Sequence, residues 1–159
     1  MARRIYFLRH GKADRTAWDG ADDRRPLTDE GREALERSAA GLQRLDLGVD
    51  LVLSSPLVRA VQTADIVADI LGCAGGVVVD RRLGPSFGPG DLAALLAEHH
   101  EGRLLLVGHE PSFSAVVGMV TGGSRLTFRK GGLARVDLVR ERPPRGSLEW
   151  LLPPRALGA

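Results

Sequence analysis

The chain has 159 residues, 43% of them hydrophobic, and 22 basic against 20 acidic side chains leave a net charge of +2. That length and apolar content suit one compact domain over residues 1–159, and so small a charge imbalance does not indicate a basic face built for nucleic acid. The single cysteine, Cys73, excludes an internal disulfide and a multi-cysteine zinc site and points to a reducing compartment, by default the cytoplasm.

Behind the basic Arg3-Arg4, the apolar run from Ile5 to Leu8 is too short for a signal-peptide core or a membrane span. It reads as a strand buried on both faces that opens into Arg9-His10-Gly11. Thr28 is placed to cap a helix starting near Asp29, with Ala34, Leu35, Ala39, Leu42 and Leu45 recurring at helical spacing. Leu51 to Leu53 is a second buried strand, Ser54-Ser55 its turn, and Pro56 the first-turn residue of a helix reaching about Leu71. Val77 to Val79 is a third strand. A helix over Leu92 to His99 follows, with Asp91 as its N-cap, and then a strand over Leu104 to Val107 ending in Gly108-His109. Ser112 to Val120 reads as helix. Leu133 to Val139 and Leu148 to Leu152 read as a terminal hairpin turning near Pro143 to Gly146, and residues 153–159 as a flexible tail.

Strands alternating with helices predict a three-layer α/β/α sandwich with a mostly parallel central sheet, in which ligands bind beyond the carboxyl ends of the strands. His10, Ser54 and His109 all fall at such ends. Taken alone, Arg9-His10-Gly11 is equally compatible with a solvated loop, Arg59 with a surface helix position and His109 with a hydrogen-bonded loop histidine. No histidine pair has the helical spacing of a metal site with an acid between, so no metal or other cofactor is expected. His99 and His100 read as solvent-facing.

Together, Arg9-His10-Gly11, Pro26-Leu27-Thr28 with Gly31, Ser54-Ser55-Pro56 with Arg59, Ala60, Gln62 and Thr63, and Gly108-His109-Glu110-Pro111 resemble the histidine phosphatase superfamily, also called phosphoglycerate mutase-like. Gly11-Lys12-Ala13, Asp22-Asp23-Arg24-Arg25-Pro26 and Gly131-Gly132-Leu133-Ala134 are similar to its short SixA-type phosphohistidine phosphatases. The resemblance implies that His10 is the catalytic nucleophile and passes through a phosphohistidine. It also implies that Gly11 accepts from the other ring nitrogen, and that Arg9, Arg59 and His109 surround the phosphoryl oxygens. Imidazole and guanidinium chemistry suits those roles, because a neutral ring can attack and paired N–H donors match a phosphate.

Gly11 is expected to allow unusual backbone geometry. Asp22 is a candidate substrate-binding residue able to orient an arginine or a water. Ser54 and Ser55 are candidate donors, and Ser54, at the strand end, is taken as the substrate-binding one; ordinary loop and turn chemistry explains all three equally well. The segment after the third strand lacks the glutamate general acid of mutase-like relatives, which leaves Asp91 and Glu110 as possible acids. That lack favours phosphohistidine, whose protonated ring departs as neutral imidazole. The expected partner is therefore a phosphohistidine-containing protein, such as a phosphotransfer domain, with phosphate ion as product. A broad phosphomonoesterase acting on small phosphorylated metabolites and a non-catalytic phosphoprotein-binding module are the alternatives.

Overall fold

A strand can be apolar at every position only if both its faces are covered. In the computed structural model, which describes residues 2–16 and 18–158, the N-terminal strand β1 (Arg4–Arg9) meets that condition at the centre of a six-stranded sheet. The other strands are β2 (Leu51–Ser54), β3 (Val77–Val79), β4 (Arg103–Gly108), β5 (Leu133–Glu141) and β6 (Pro144–Leu152), in the order β3-β2-β4-β1-β5-β6. The first four in that order run parallel, and β5 and β6 add antiparallel. Because side chains alternate across the sheet, Ile5 and Phe7 enter one apolar layer and Tyr6 and Leu8 the other.

Among the described residues, four helices cover the two faces. The helices α1 (Asp29–Arg44) and α2 (Val58–Leu71) supply Ala39, Leu42, Ala60, Ala64 and Val67 to the layer holding Tyr6 and Leu8. The helices α3 (Pro89–Glu98) and α4 (Ser112–Val120) supply Leu92, Leu95, Phe113 and Val116 to the opposite layer, where the Phe113 ring meets Phe7 edge-on with centroids 5.4 Å apart. The architecture is the expected three-layer sandwich.

Thr28 caps α1 by accepting from the Gly31 N–H at 2.9 Å. Gly31 is required for space, since a Cβ there would overlap the Lys12 carbonyl oxygen of the chain leaving β1. The α1 helix is thereby pressed directly against the loop that follows β1.

Several boundaries differ from expectation. The α2 helix begins at Val58, two residues after Pro56, and the hairpin strands extend to Glu141 and Pro144, leaving Arg142-Pro143 as the turn. Their polar ends hide the strand signal because the hairpin edge faces solvent. Residues 153–159 were expected to be a flexible tail. Instead Pro154–Leu157 forms a 3₁₀ turn packed on α1, with Leu157 only 4% exposed inside the α1/α2 layer. Leu157→Ala is therefore expected to lower unfolding stability by about 2 kcal/mol or more, as a buried leucine truncation does. Urea denaturation would measure it, and an unchanged midpoint would remove this segment from the fold.

Candidate active site

Strand register assembles the site. Arg9 lies opposite Gly108 in the parallel β1/β4 pair, so the next residue on each strand, His10 and His109, emerges at adjacent strand ends with ring centroids 5.1 Å apart. On the other side of β4, the Ser55 N–H donates to the Val107 carbonyl at 3.0 Å, which brings the Ser55 hydroxyl to 2.7 Å from His109 Nε2. The α2 helix starts just beyond, and Arg59 in its first turn reaches back until its Nε–H donates to His10 Nε2 at 3.3 Å. His10, Arg59 and His109 border a cleft of about 600 Å³.

The tautomer of His10 follows from its partner. Its Nδ1 lies 2.7 Å from the Gly11 carbonyl, which can only accept, so the proton sits on Nδ1 and the neutral ring carries its lone pair on Nε2 toward the cleft. The Gly11 N–H donates to Thr63 Oγ1 at 3.1 Å, and the Thr63 hydroxyl donates to the Arg59 carbonyl at 2.7 Å, so one threonine ties the His10 loop to α2. Gly11 does not occupy the left-handed region, contrary to expectation; its glycine provides room, since a Cβ would come within 2.7 Å of the Leu35 side chain.

Burial pushes the His10 imidazole down to about 3; the Gly11 hydrogen bond partly opposes this, and His109, Arg59 and Arg9 reinforce it. His109 is likewise lowered, to about 4, mainly by burial and then by Arg59. Both rings are thus neutral well below the ordinary histidine value of 6.5. Imidazole nitrogen NMR of the ligand-free protein at pH 5.5 should show both uncharged, and a charged His10 signal there would contradict this burial. Because the unfolded chain takes up these protons first, stability from the two rings is full above pH 6.5 and declines as pH falls toward the folded values.

Among the described residues, the arginines Arg9, Arg15, Arg25 and Arg59 line the cleft. Arg9 donates from Nη1 to the Phe128 carbonyl at 2.9 Å, while its buried Nε has no protein partner among the described residues. Burial lowers the pKa of Arg9 and, with help from Arg25, that of Arg59, as expected of guanidinium groups held away from water. Asp22, in a 3₁₀ turn (Asp22–Arg24), accepts from Arg59 through its carbonyl at 2.8 Å and its Oδ2 at 3.2 Å. Its Oδ1 accepts from Arg25, whose hydrogen bond is the largest cause of the lowered Asp22 pKa.

Other candidates lie elsewhere. Ser54 and Ser55 are both fully buried and neither borders the cleft; the Ser54 hydroxyl donates to the Ser55 carbonyl at 2.9 Å, whereas the Ser55 hydroxyl meets His109, so the serine in contact with a cleft residue is Ser55, one residue on. Asp91 sits inside the first turn of α3 rather than at its N-cap, accepts from the Gly88 N–H at 2.8 Å and does not border the cleft. Glu110 does border it, but both its oxygens accept from Ser114 at the start of α4. His100 is exposed as expected and His99 is half-buried. Asp80, Glu98 and His99 cluster as possible metal ligands, yet the Arg82 guanidinium already bridges both carboxylates at 2.6 to 2.9 Å, so a cation would have to displace it. Arg25 is the group that sequence reasoning passed over, because a run of charged residues gives no sign of which member turns inward; the serine pair likewise does not show that Ser55 rather than Ser54 does so.

The sequence profile of the histidine phosphatase superfamily (branch 1) matches residues 5–85. The chain is 37% identical over 139 residues to an uncharacterised protein of Picosynechococcus sp., covering 81% of each. It is 30% identical over 155 residues to the phosphohistidine phosphatase SixA of Escherichia coli K12, covering 94% of this chain and 93% of that one. The solved structure of the protein histidine phosphatase SixA complexed with tungstate superimposes with a TM-score of 0.86 at 29% identity, over 97% of this chain and 99% of that chain. No helix among the described residues is long and apolar enough to cross a membrane.

Proposed function

This chain belongs to the histidine phosphatase superfamily, and we propose that it is a phosphohistidine phosphatase that hydrolyses the nitrogen–phosphorus bond of a phosphohistidine-bearing protein. In this reading the His10 Nε2 lone pair attacks phosphorus, the bond to the substrate imidazole breaks, and that ring leaves with the bonding pair. Water then attacks the phosphoryl group on His10, returning the pair to Nε2 and releasing phosphate. Arg9, Arg59 and His109 take the charge that develops on the phosphoryl oxygens, the chief demand of phosphoryl transfer. Phosphate itself would occupy the Arg59 donor that now rests on His10.

The choice of leaving group rests on the state of the cleft's carboxylates, Asp14, Asp22 and Glu110. Thr16 donates backbone and hydroxyl bonds to Asp14, and Arg25 and Arg59 hold Asp22, so both are kept ionised by pKa values below the ordinary range. Glu110 is engaged through both oxygens by Ser114. None of the three is arranged to protonate an alkoxide. A phosphorylated imidazole protonated at its other nitrogen needs no such acid, because it departs as a neutral ring.

The test is phosphate release from a phosphohistidine protein, a phosphohistidine peptide, phosphoserine and 3-phosphoglycerate under common conditions. The two phosphohistidine substrates should lead by at least about a hundredfold in kcat/KM, the scale of one missing general acid. A lead for phosphoserine or phosphoglycerate would replace the reading with that of a phosphomonoesterase, and binding without release would make the chain a recognition module.

A further inference from the structure

Among the described residues, Arg25 is the one buried arginine of the cleft with no donor on the reacting histidines: it is 4% exposed and borders the site, yet all its side-chain bonds go elsewhere. Nε and Nη2 both donate to Asp22 Oδ1, at 3.3 and 3.1 Å, and Nη1 donates to the Ala13 carbonyl in the loop after β1. Its backbone N–H also donates to the Asp22 carbonyl at 3.1 Å, the oxygen that accepts from Arg59 Nη1 at 2.8 Å. Asp22 is therefore gripped through both its carboxylate and its carbonyl by Arg25 on one side and by Arg59 on the other.

We propose that Arg25 is a positioning residue for Arg59, acting through Asp22: it fixes the carboxylate and carbonyl that set the angle at which the Arg59 fork faces His10. The need is physical. Asp22 stands on a three-residue turn, and its side chain is 59% exposed, so nothing in its own packing would hold it. The other end of Arg25 is anchored on Ala13, which is 3% exposed, three residues beyond the nucleophile. One rigid guanidinium thus ties the turn to the His10 loop, and Arg59 inherits its register from that tie. The planar fork matters more than the charge, since two donors converge on one carboxylate oxygen while a third points away from them. Arg25 also bears a charge that repels Arg59, which fits a contact mediated by a carboxylate between them.

The role of Arg25 rests on the site proposed above, yet it can be tested with any phosphorylated substrate the wild type turns over: phosphohistidine peptide first, p-nitrophenyl phosphate if that reading fails. Arg25→Lys keeps the charge and loses the fork. It should lower kcat about tenfold in the wild-type background and leave Arg59→Ala unchanged within about twofold, because only a residue acting through Arg59 loses its effect when Arg59 is gone. Asp22→Ala should show the same dependence. Wild-type kcat in Arg25→Lys, or an equal further loss in the Arg59→Ala background, would overturn the proposal. Should Arg25→Lys fail to fold, Asp22→Ala decides alone, since its exposed side chain carries little packing; an undiminished kcat there overturns it too.

Discussion

Replacing His10 with alanine should reduce turnover by about ten-thousandfold or more, the order of loss on removing the nucleophile of a covalent mechanism. The expectation rests on the ring's surroundings. The Gly11 carbonyl at 2.7 Å fixes the proton on Nδ1, and burial keeps the ring neutral, so Nε2 is both unprotonated and aimed at the cleft. His109 offers no substitute, because its Nε2 is already engaged at 2.7 Å by Ser55. Rapid quench of the wild type with labelled substrate should trap acid-labile, alkali-stable label on His10, and the variant should trap none. Residual turnover within about tenfold of wild type would refute the assignment of His10 as nucleophile.

Arg59→Ala should lower kcat by a hundredfold to a thousandfold, about 3 to 4 kcal/mol, the scale of removing one preorganised donor from developing charge. Arg59 is only 4% exposed, so its donors act where water competes little, and its Nε already points at His10 Nε2, the atom proposed to attack phosphorus. Arg59→Lys should recover only a minor part, since one ammonium cannot face both the phosphoryl group and Asp22 as the guanidinium does. Single-turnover kinetics would place the loss in phosphorylation of His10. Wild-type rates in either variant would remove Arg59 from the chemistry.

The groups of the site differ in how plainly the sequence announces them. Arg9-His10-Gly11 and Gly108-His109 each follow a short apolar run, and Arg59 follows a strand, a serine turn and a proline; such local patterns locate strand ends and helix starts without knowledge of the rest of the chain. Thr63 and Gln62 belong to the same pattern, and in the fold both of them hold loops near the cleft. Thr63 accepts from the Gly11 N–H, and Gln62 accepts from the Leu27 N–H at 2.8 Å. Arg25 is different. It closes a run of four charged residues that would ordinarily be solvated, and its buried guanidinium is satisfied by Asp22 together with the Ala13 carbonyl, twelve residues away. The choice between Ser54 and Ser55 was hidden for a related reason: it depends on which residue the end of β2 turns toward His109, a contact across 54 residues.

The layered α/β arrangement and the strand ends that carry His10 and His109 were legible in the amino-acid order, because each is written in a periodicity or motif of a few consecutive residues; the roles proposed for His10, Arg9, Arg59 and His109 came from the family resemblance of those motifs taken together. Folding in three dimensions added what no local pattern holds: Arg9 anchors on Phe128, Leu157 closes the α1/α2 layer, and Asp22 is held between two arginines. These facts depend on the register of strands and the packing of loops far apart in the chain. A side chain's burial and its hydrogen-bond partner are then set by what arrives opposite it, and that is not encoded in its own neighbours.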